Sequence, residues 1–165
     1  MEATSSDPTP VTRALDEKGI PYRFFRHPGP VKSLEQAARE RGQRPEQVVR
    51  TIVFRIYDQE FVLVLVAGPG QISWPALREQ LGVSRMTMAS EEEILRLTGY
   101  PIGAVSPLGL PAPMRTLVDR SLLEQDEISV GSGVRHTTVI MKRADLLQAL
   151  GEVEFGDFSA ECRSS

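Results

Sequence analysis

The segment that most constrains this chain is residues 61–67, Phe-Val-Leu-Val-Leu-Val-Ala, which contains no polar side chain. A strand with one wet face alternates between apolar and polar residues. An unbroken apolar run predicts a central strand covered on both faces. At seven residues the run is far shorter than the roughly 20 needed by a membrane-spanning helix. The segment before it, Val49 to Tyr57, is rich in β-branched and aromatic residues and reads as a second strand. Only Asp58-Gln59-Glu60 separate the two. A link that short forces antiparallel pairing, because a parallel crossover needs about a dozen residues or more. Further strands are expected at 22–25, 86–88, 115–118, 128–130 and 137–141, interleaved with helices. The fold class is therefore α/β, a single compact domain with a mixed, mostly antiparallel sheet flanked by helices.

Helix boundaries are written in the capping chemistry. A helix over 11–18 stops at Gly19. Ser33-Leu34-Glu35-Gln36 and Ser90-Glu91-Glu92-Glu93 are capping boxes, opening helices that end near Gly42 and Gly99. Leu34, Ala37 and Ala38 give the first of these one buried stripe. Pro45 opens a short turn of helix, and Ser73, Pro75 and Gly82 mark the cap, first turn and exit of another helix. Residues 119–123 read as a capped helical turn, and 144–150 as a closing helix ending at Gly151. The expected organisation is a flexible leader over 1–10, one domain over 11–150 and a partly ordered tail over 151–165.

Composition excludes several classes. A net charge of −3 rules out a strongly basic nucleic-acid binder while leaving room for a local basic patch. The single cysteine, Cys162, allows no intrachain disulfide, and two widely spaced histidines make no zinc-site spacing. No metal or cofactor is expected. The first residues, Met1 to Pro8, have neither the cationic nor the apolar region of a signal peptide, so a cytoplasmic location without membrane contact is expected.

Four features could carry chemistry. The first is Gly99-Tyr100-Pro101-Ile102-Gly103-Ala104-Val105-Ser106-Pro107-Leu108-Gly109. Its glycines permit close approach of a ligand to the backbone and its prolines stiffen the loop, which together can preset N–H groups around an oxyanion; a rigid structural turn is the competing reading. The second is Arg50, a cation early in an apolar strand that needs a partner or an anionic ligand, unless it is an edge charge in solvent. The third is Gly131-Ser132-Gly133 with Arg135 and His136 beside it, most simply a hairpin turn. Neither Ser106 nor Ser132 lies in a G-x-S-x-G elbow, which argues against a serine hydrolase. The fourth is His27 in His27-Pro28-Gly29-Pro30, a pocket-rim candidate or a turn.

The stretch Thr98 to Gly109 is similar to T-G-[YF]-x-[VI]-G-[GA]-[VI]-S-P-[LF]-G, the pattern of the YbaK/prolyl-tRNA-synthetase-associated domain family of aminoacyl-tRNA deacylases. Collinear pieces flank it: His27, Ser33 and Ala37-Ala38, then Gln47 to Val53, and afterwards Val118-Asp119, Gly131-Ser132-Gly133 and Ala144 to Leu147. The resemblance covers about 11–150 and is closest to the YbaK-type Cys-tRNA(Pro) deacylases. It implies a partly barrel-like α/β domain with a pocket for the aminoacylated 3′ end of tRNA, and prolyl-tRNA synthetase as a further partner. It implies catalytic roles for Arg50, Gly103 and Ala104, the last two through their backbone amides. Substrate contacts are implied for His27, Gly99, Tyr100, Ser106, Pro107, Gly109, Gly131, Ser132, Gly133 and Thr138. The family pattern has lysine where this chain has Arg50. Arginine keeps the charge but transfers no proton near neutral pH. Arg26, Lys32, Arg50, Arg135 and Lys142 are expected to form a positive rim. The implied reaction is trans-editing hydrolysis of mischarged Cys- or Ala-tRNA(Pro). A non-catalytic module binding the tRNA end, an aminoacyl-adenosine or a nucleotide is the alternative.

Overall fold

The computed structural model describes residues 9–159. The leader expected over 1–10 lies mostly outside that range. Thr9 already caps helix α1 (Pro10–Glu17), its side chain accepting from Thr12 N–H. The remaining elements are β1 (Arg23–Arg26), α2 (Leu34–Glu40), a 3-10 turn (Pro45–Gln47), β2 (Val49–Tyr57), β3 (Glu60–Ala67), α3 (Trp74–Leu81), β4 (Thr87–Met88) and α4 (Glu91–Thr98). After the glycine-rich segment come β5 (Arg115–Asp119), a second 3-10 turn (Arg120–Glu124), β6 (Glu127–Gly131), β7 (Thr137–Lys142), α5 (Arg143–Leu150) and β8 (Glu154–Gly156).

The pairing is mixed and mostly antiparallel, as the short connections require, but it is divided between two sheets rather than gathered in one. One sheet has the order β1-β7-β6 and is antiparallel throughout. The other runs β4-β2-β3-β5-β8, with β3–β5 and β5–β8 parallel. Among the described residues one parallel bridge, Val48 to Ser129, ties the two sheets together. The run 61–67 sits between β2 and β5, and Val62 to Val66 are fully buried.

Both faces of the larger sheet are covered, which is why β3 has no polar alternation. Val49, Val53, Leu63, Leu65 and Val118 face the main core with Leu15, Tyr100, Val130, Val139 and Leu146. Phe54, Val62, Val64, Val66 and Leu117 face the other way, against Leu77 of α3, Met86 and Phe158.

The reading of 151–165 as a tail is corrected for its first half. Residues 154–156 add strand β8 to the sheet, and Phe158 is buried in the second core. Buried Asp119 holds this segment: Oδ1 accepts from the Phe158 and Ser159 amides, while Oδ2 accepts from Ser121 N–H and starts the 3-10 turn. A three-residue strand is too short to leave a periodic signal in sequence.

The capping box at Ser90 is present with reciprocal bonds to Glu93. At Ser33 only half of it forms. Ser33 accepts from Gln36 N–H, but the Gln36 side chain accepts instead from Lys32 N–H at 3.0 Å.

Candidate active site

Strand β4 is so short that it covers β2 only at Phe54 and Arg55. The stretch 50–52, between the Val48–Ser129 bridge and the Ala89 N–H bond to Val53 O, therefore keeps an open edge on the side away from β3. Opposite that edge stand the ends of β6 and β7 and the glycine-rich segment, and the gap between them is a cavity of about 470 Å³. Its volume lies within the usual range for small-molecule sites, roughly 300–1,000 Å³. Its walls are mostly apolar, with polar groups from Arg41, Arg50, Thr51, Ser129, Thr137 and Thr138. None of the lining residues is His, Cys, Asp or Glu.

The turn that faces this cavity is built from the segment's own sequence. Ala104 N–H donates to Pro101 O at 3.0 Å, closing a β-turn with Gly103 at its third position. Gly103 has φ +92, the conformation a type II turn demands there and glycine supplies. Such a turn aims the third residue's amide outward. Among the described residues nothing accepts from Gly103 N–H, and Gly103 lines the cavity. Of the two expected amide donors, Ala104 is thus corrected: its N–H closes the turn and is not presented to a ligand.

The rest of the segment is internal bracing. Tyr100 is buried, its hydroxyl donates to Leu108 O at 2.6 Å, and burial pushes its pKa up to about 12. Ser106 is fully buried and its Oγ accepts from Leu108 N–H at 3.2 Å. Gly99 terminates α4 in the left-handed conformation. Pro107 and Gly109 line a different cavity, beside α1 and α5. From the far side, Arg135 Nε donates to Ile102 O at 3.0 Å and pins the turn's tip.

The 131–133 turn serves the same frame. A Cβ on Gly131 would lie 2.2 Å from Val105 O, so only glycine lets β6 approach the glycine-rich segment this closely. Gly131 lines the cavity; Ser132 and Gly133 do not. Ser132 Oγ pairs with Thr137 Oγ1, and Gly133 lies against the Tyr100 ring. Thr138 lines the cavity, with its hydroxyl donated to Val130 O at 2.7 Å.

Arg50 and Gly103 line the same cavity. Arg50 Nη2 donates to Gly70 O. His27, expected at the rim, is buried instead and is not a lining residue. Its Nδ1 meets Glu40 Oε1 at 2.6 Å, and its Nε2 accepts from Arg41 Nε at 3.3 Å. Lys142 is removed from the expected rim, since it pairs with Glu127 at the far end of β7 from Thr137.

Arg41, Thr51 and Ser129 were not anticipated. Arg41 carried a readable signal: it falls four residues after Ala37 and three after Ala38, on the helix stripe the sequence marks as buried. Burial pushes its pKa down to about 10, partly opposed by Glu40, so it remains a cation at neutral pH. Thr51 Oγ1 is buried without a hydrogen-bond partner among the described residues. No group of three or more His, Cys, Asp or Glu among the described residues could hold a metal ion. No helix there is long and apolar enough to cross a membrane.

The family model of the aminoacyl-tRNA editing domain matches residues 28–149, which contain both sheets' central strands and every wall of the cavity. The chain belongs to the aminoacyl-tRNA editing domain family. Relatives include the proline–tRNA ligase of Citrifermentans bemidjiense, 31% identical over 64% of this chain and 18% of the ligase. The proline–tRNA ligase of Streptococcus pneumoniae is 29% identical over 80% of this chain and 21% of the ligase. The chain thus spans about a fifth of the length of these curated relatives. The crystal structure of a candidate trans-editing enzyme for prolyl tRNA synthetase superposes with a TM-score of 0.83 at 26% identity, covering 94% of this chain and 99% of that one.

Proposed function

We propose that this editing domain hydrolyses the ester between a wrongly attached amino acid and the terminal ribose of tRNA, with Cys- or Ala-tRNA(Pro) as the substrate. The observation that carries the reading is that Gly103, whose N–H no described residue accepts from, and Arg50 line one cavity. The relatives and the structural neighbour concerned with proline–tRNA ligation support the choice of tRNA.

The chemistry follows from what lines the cavity. An aminoacyl ester is already reactive, and no histidine or carboxylate is at hand to activate a side-chain nucleophile. Water attacks the carbonyl carbon and gives up a proton as it adds. Negative charge gathers on the carbonyl oxygen, and Gly103 N–H donates to it from a turn already fixed in place. Removing one preorganised donor from an oxyanion site costs about 3–4 kcal/mol in the barrier. Arg50 adds positive potential in a partly desolvated wall, where such a charge acts more strongly than in water. Arginine stays protonated, so its role is to bind and orient. The tetrahedral intermediate then expels the ribose oxygen, which takes up a proton, leaving free amino acid and tRNA. Arg26, Lys32 and Arg135 remain proposed as basic contacts for the acceptor stem.

The test is deacylation of Cys-, Ala- and Pro-tRNA(Pro), beside a panel of other aminoacyl-tRNAs, by the purified protein. Release of cysteine or alanine well above the uncatalysed rate is expected. Rates equal to the blank across the panel would reject the reading.

A further inference from the structure

Behind another part of the cavity wall lies a chain of side chains that the reaction as derived does not use. Glu40 and Arg41 end helix α2, His27 follows β1, and Ser129 is in the middle of β6. Their hydrogen bonds run in one direction. A guanidinium only donates, so His27 Nε2 accepts from Arg41 Nε, and the ring hydrogen resides on Nδ1, donated to Glu40. The Glu40 carboxyl is held below the usual carboxylate range, first by Gln36 and then by His27, so it is an anion and a firm acceptor. Arg41 Nη1 donates to Ser129 Oγ.

The end of this chain is what points to function. Ser129 Oγ accepts from a cation, and its own hydroxyl hydrogen has no acceptor among the described residues. Ser129 is fully buried, yet both it and Arg41 line the cavity. A hydroxyl that accepts from a cation is polarised into a better donor, because hydrogen bonds in series strengthen one another. A buried polar hydrogen without an acceptor is costly, and an oxygen of a bound ligand would satisfy it.

Resting on the editing reading, we propose that Ser129 is a second substrate contact, donating its hydroxyl hydrogen to an oxygen of the acylated adenosine, with Arg41, His27 and Glu40 as its positioning residues. This assigns His27 a place in the site, but one step behind the wall. Arg41 holds Ser129 in its donor rotamer, and His27 and Glu40 hold Arg41. Ser129 and Gly103 line the same cavity, so the two donors serve one ligand.

The experiment measures kcat/KM and the thermal midpoint for Ser129→Ala, Arg41→Met and their double variant, with Ser129→Thr and Arg41→Lys as rescues. Loss of a charge-assisted hydrogen bond predicts a fall in kcat/KM of roughly 10- to 100-fold for either single variant. The double variant is expected to be no worse than Ser129→Ala alone, since Arg41 acts through Ser129. Ser129→Thr should recover most of the loss while the midpoint stays near wild type. Unchanged kcat/KM with a lowered midpoint would mean a purely structural tie and overturn the proposal, while leaving the editing reading intact. If wild type hydrolyses nothing, binding of 3′-alanylamino-3′-deoxyadenosine, an amide that cannot turn over, decides instead. Binding at least tenfold weaker in Ser129→Ala then upholds the contact although the hydrolytic reading has failed. Equal binding in the two proteins, or none in either, overturns it.

Discussion

The two halves of the glycine-rich segment behave in opposite ways. In one half Tyr100, Ser106 and Leu108 are buried, and their polar atoms bond one another. In the other half, Ile102 and Gly103 stand at the cavity, and the Gly103 amide has no acceptor among the described residues. The same composition, glycine and proline among small residues, builds both. What differs is where the chain's own acceptors lie. The buried half is satisfied internally and so is rigid. That rigidity holds the exposed amide in place before any ligand arrives, which is the condition under which a backbone donor lowers a barrier.

The division can be broken from either side. The largest expected effect is on stability: Tyr100→Ala should remove about 3–5 kcal/mol, the usual cost of truncating a large buried aromatic, read from the denaturant midpoint. Next comes Arg50→Gln in the open region, expected to lower kcat/KM by roughly 100-fold with little change in midpoint. If Arg50→Gln instead unfolds the protein while keeping its specific activity, the open wall is structural and the comparison fails. Ser106→Ala should cost about 1 kcal/mol of stability, because it deletes one buried bond to Leu108 N–H, and leave turnover per folded molecule unchanged.

The smallest effect lies outside both regions. Arg115 and Glu154 form a two-pronged pair that joins β5 to β8. The Arg115 hydrogen bond holds the Glu154 carboxyl below the usual carboxylate range. A carboxyl depressed on folding stabilises the fold above its ordinary pKa, and that contribution disappears as pH falls through the depressed value. Both side chains are about 40% exposed, so solvent screening limits the pair to less than about 1 kcal/mol. Glu154→Gln should flatten the acid limb of the stability curve slightly and leave the deacylation rate untouched.

Sequence made the frame legible because its signals are local. The unbroken run 61–67, the short hairpin link and the serine caps each determine the structure within a few residues. The glycine-rich segment was legible as a motif, but the motif did not separate Gly103 from Ala104. That distinction depends on which carbonyl closes the turn, and here it is Pro101. His27 was read as a rim residue but lies a layer behind the cavity wall, because its partner Arg41 belongs to a different element. Arg41 and Ser129 meet across 88 residues of sequence, a separation at which periodicity carries no information. Strand β8 was missed because it is three residues long and its partner is the distant β5, while the residues after it are tied to Asp119 by side-chain to backbone bonds that leave no pattern in the tail itself.

The most direct test follows the two neighbouring amides separately. In ¹⁵N-labelled protein titrated with 3′-alanylamino-3′-deoxyadenosine, the Gly103 amide proton should shift downfield as it acquires an acceptor, while Ala104, already bonded to Pro101 O, stays close to its free position. Saturating binding that leaves Gly103 unmoved, or that moves Ala104 in its place, would contradict the assignment of Gly103 as the backbone donor of the site.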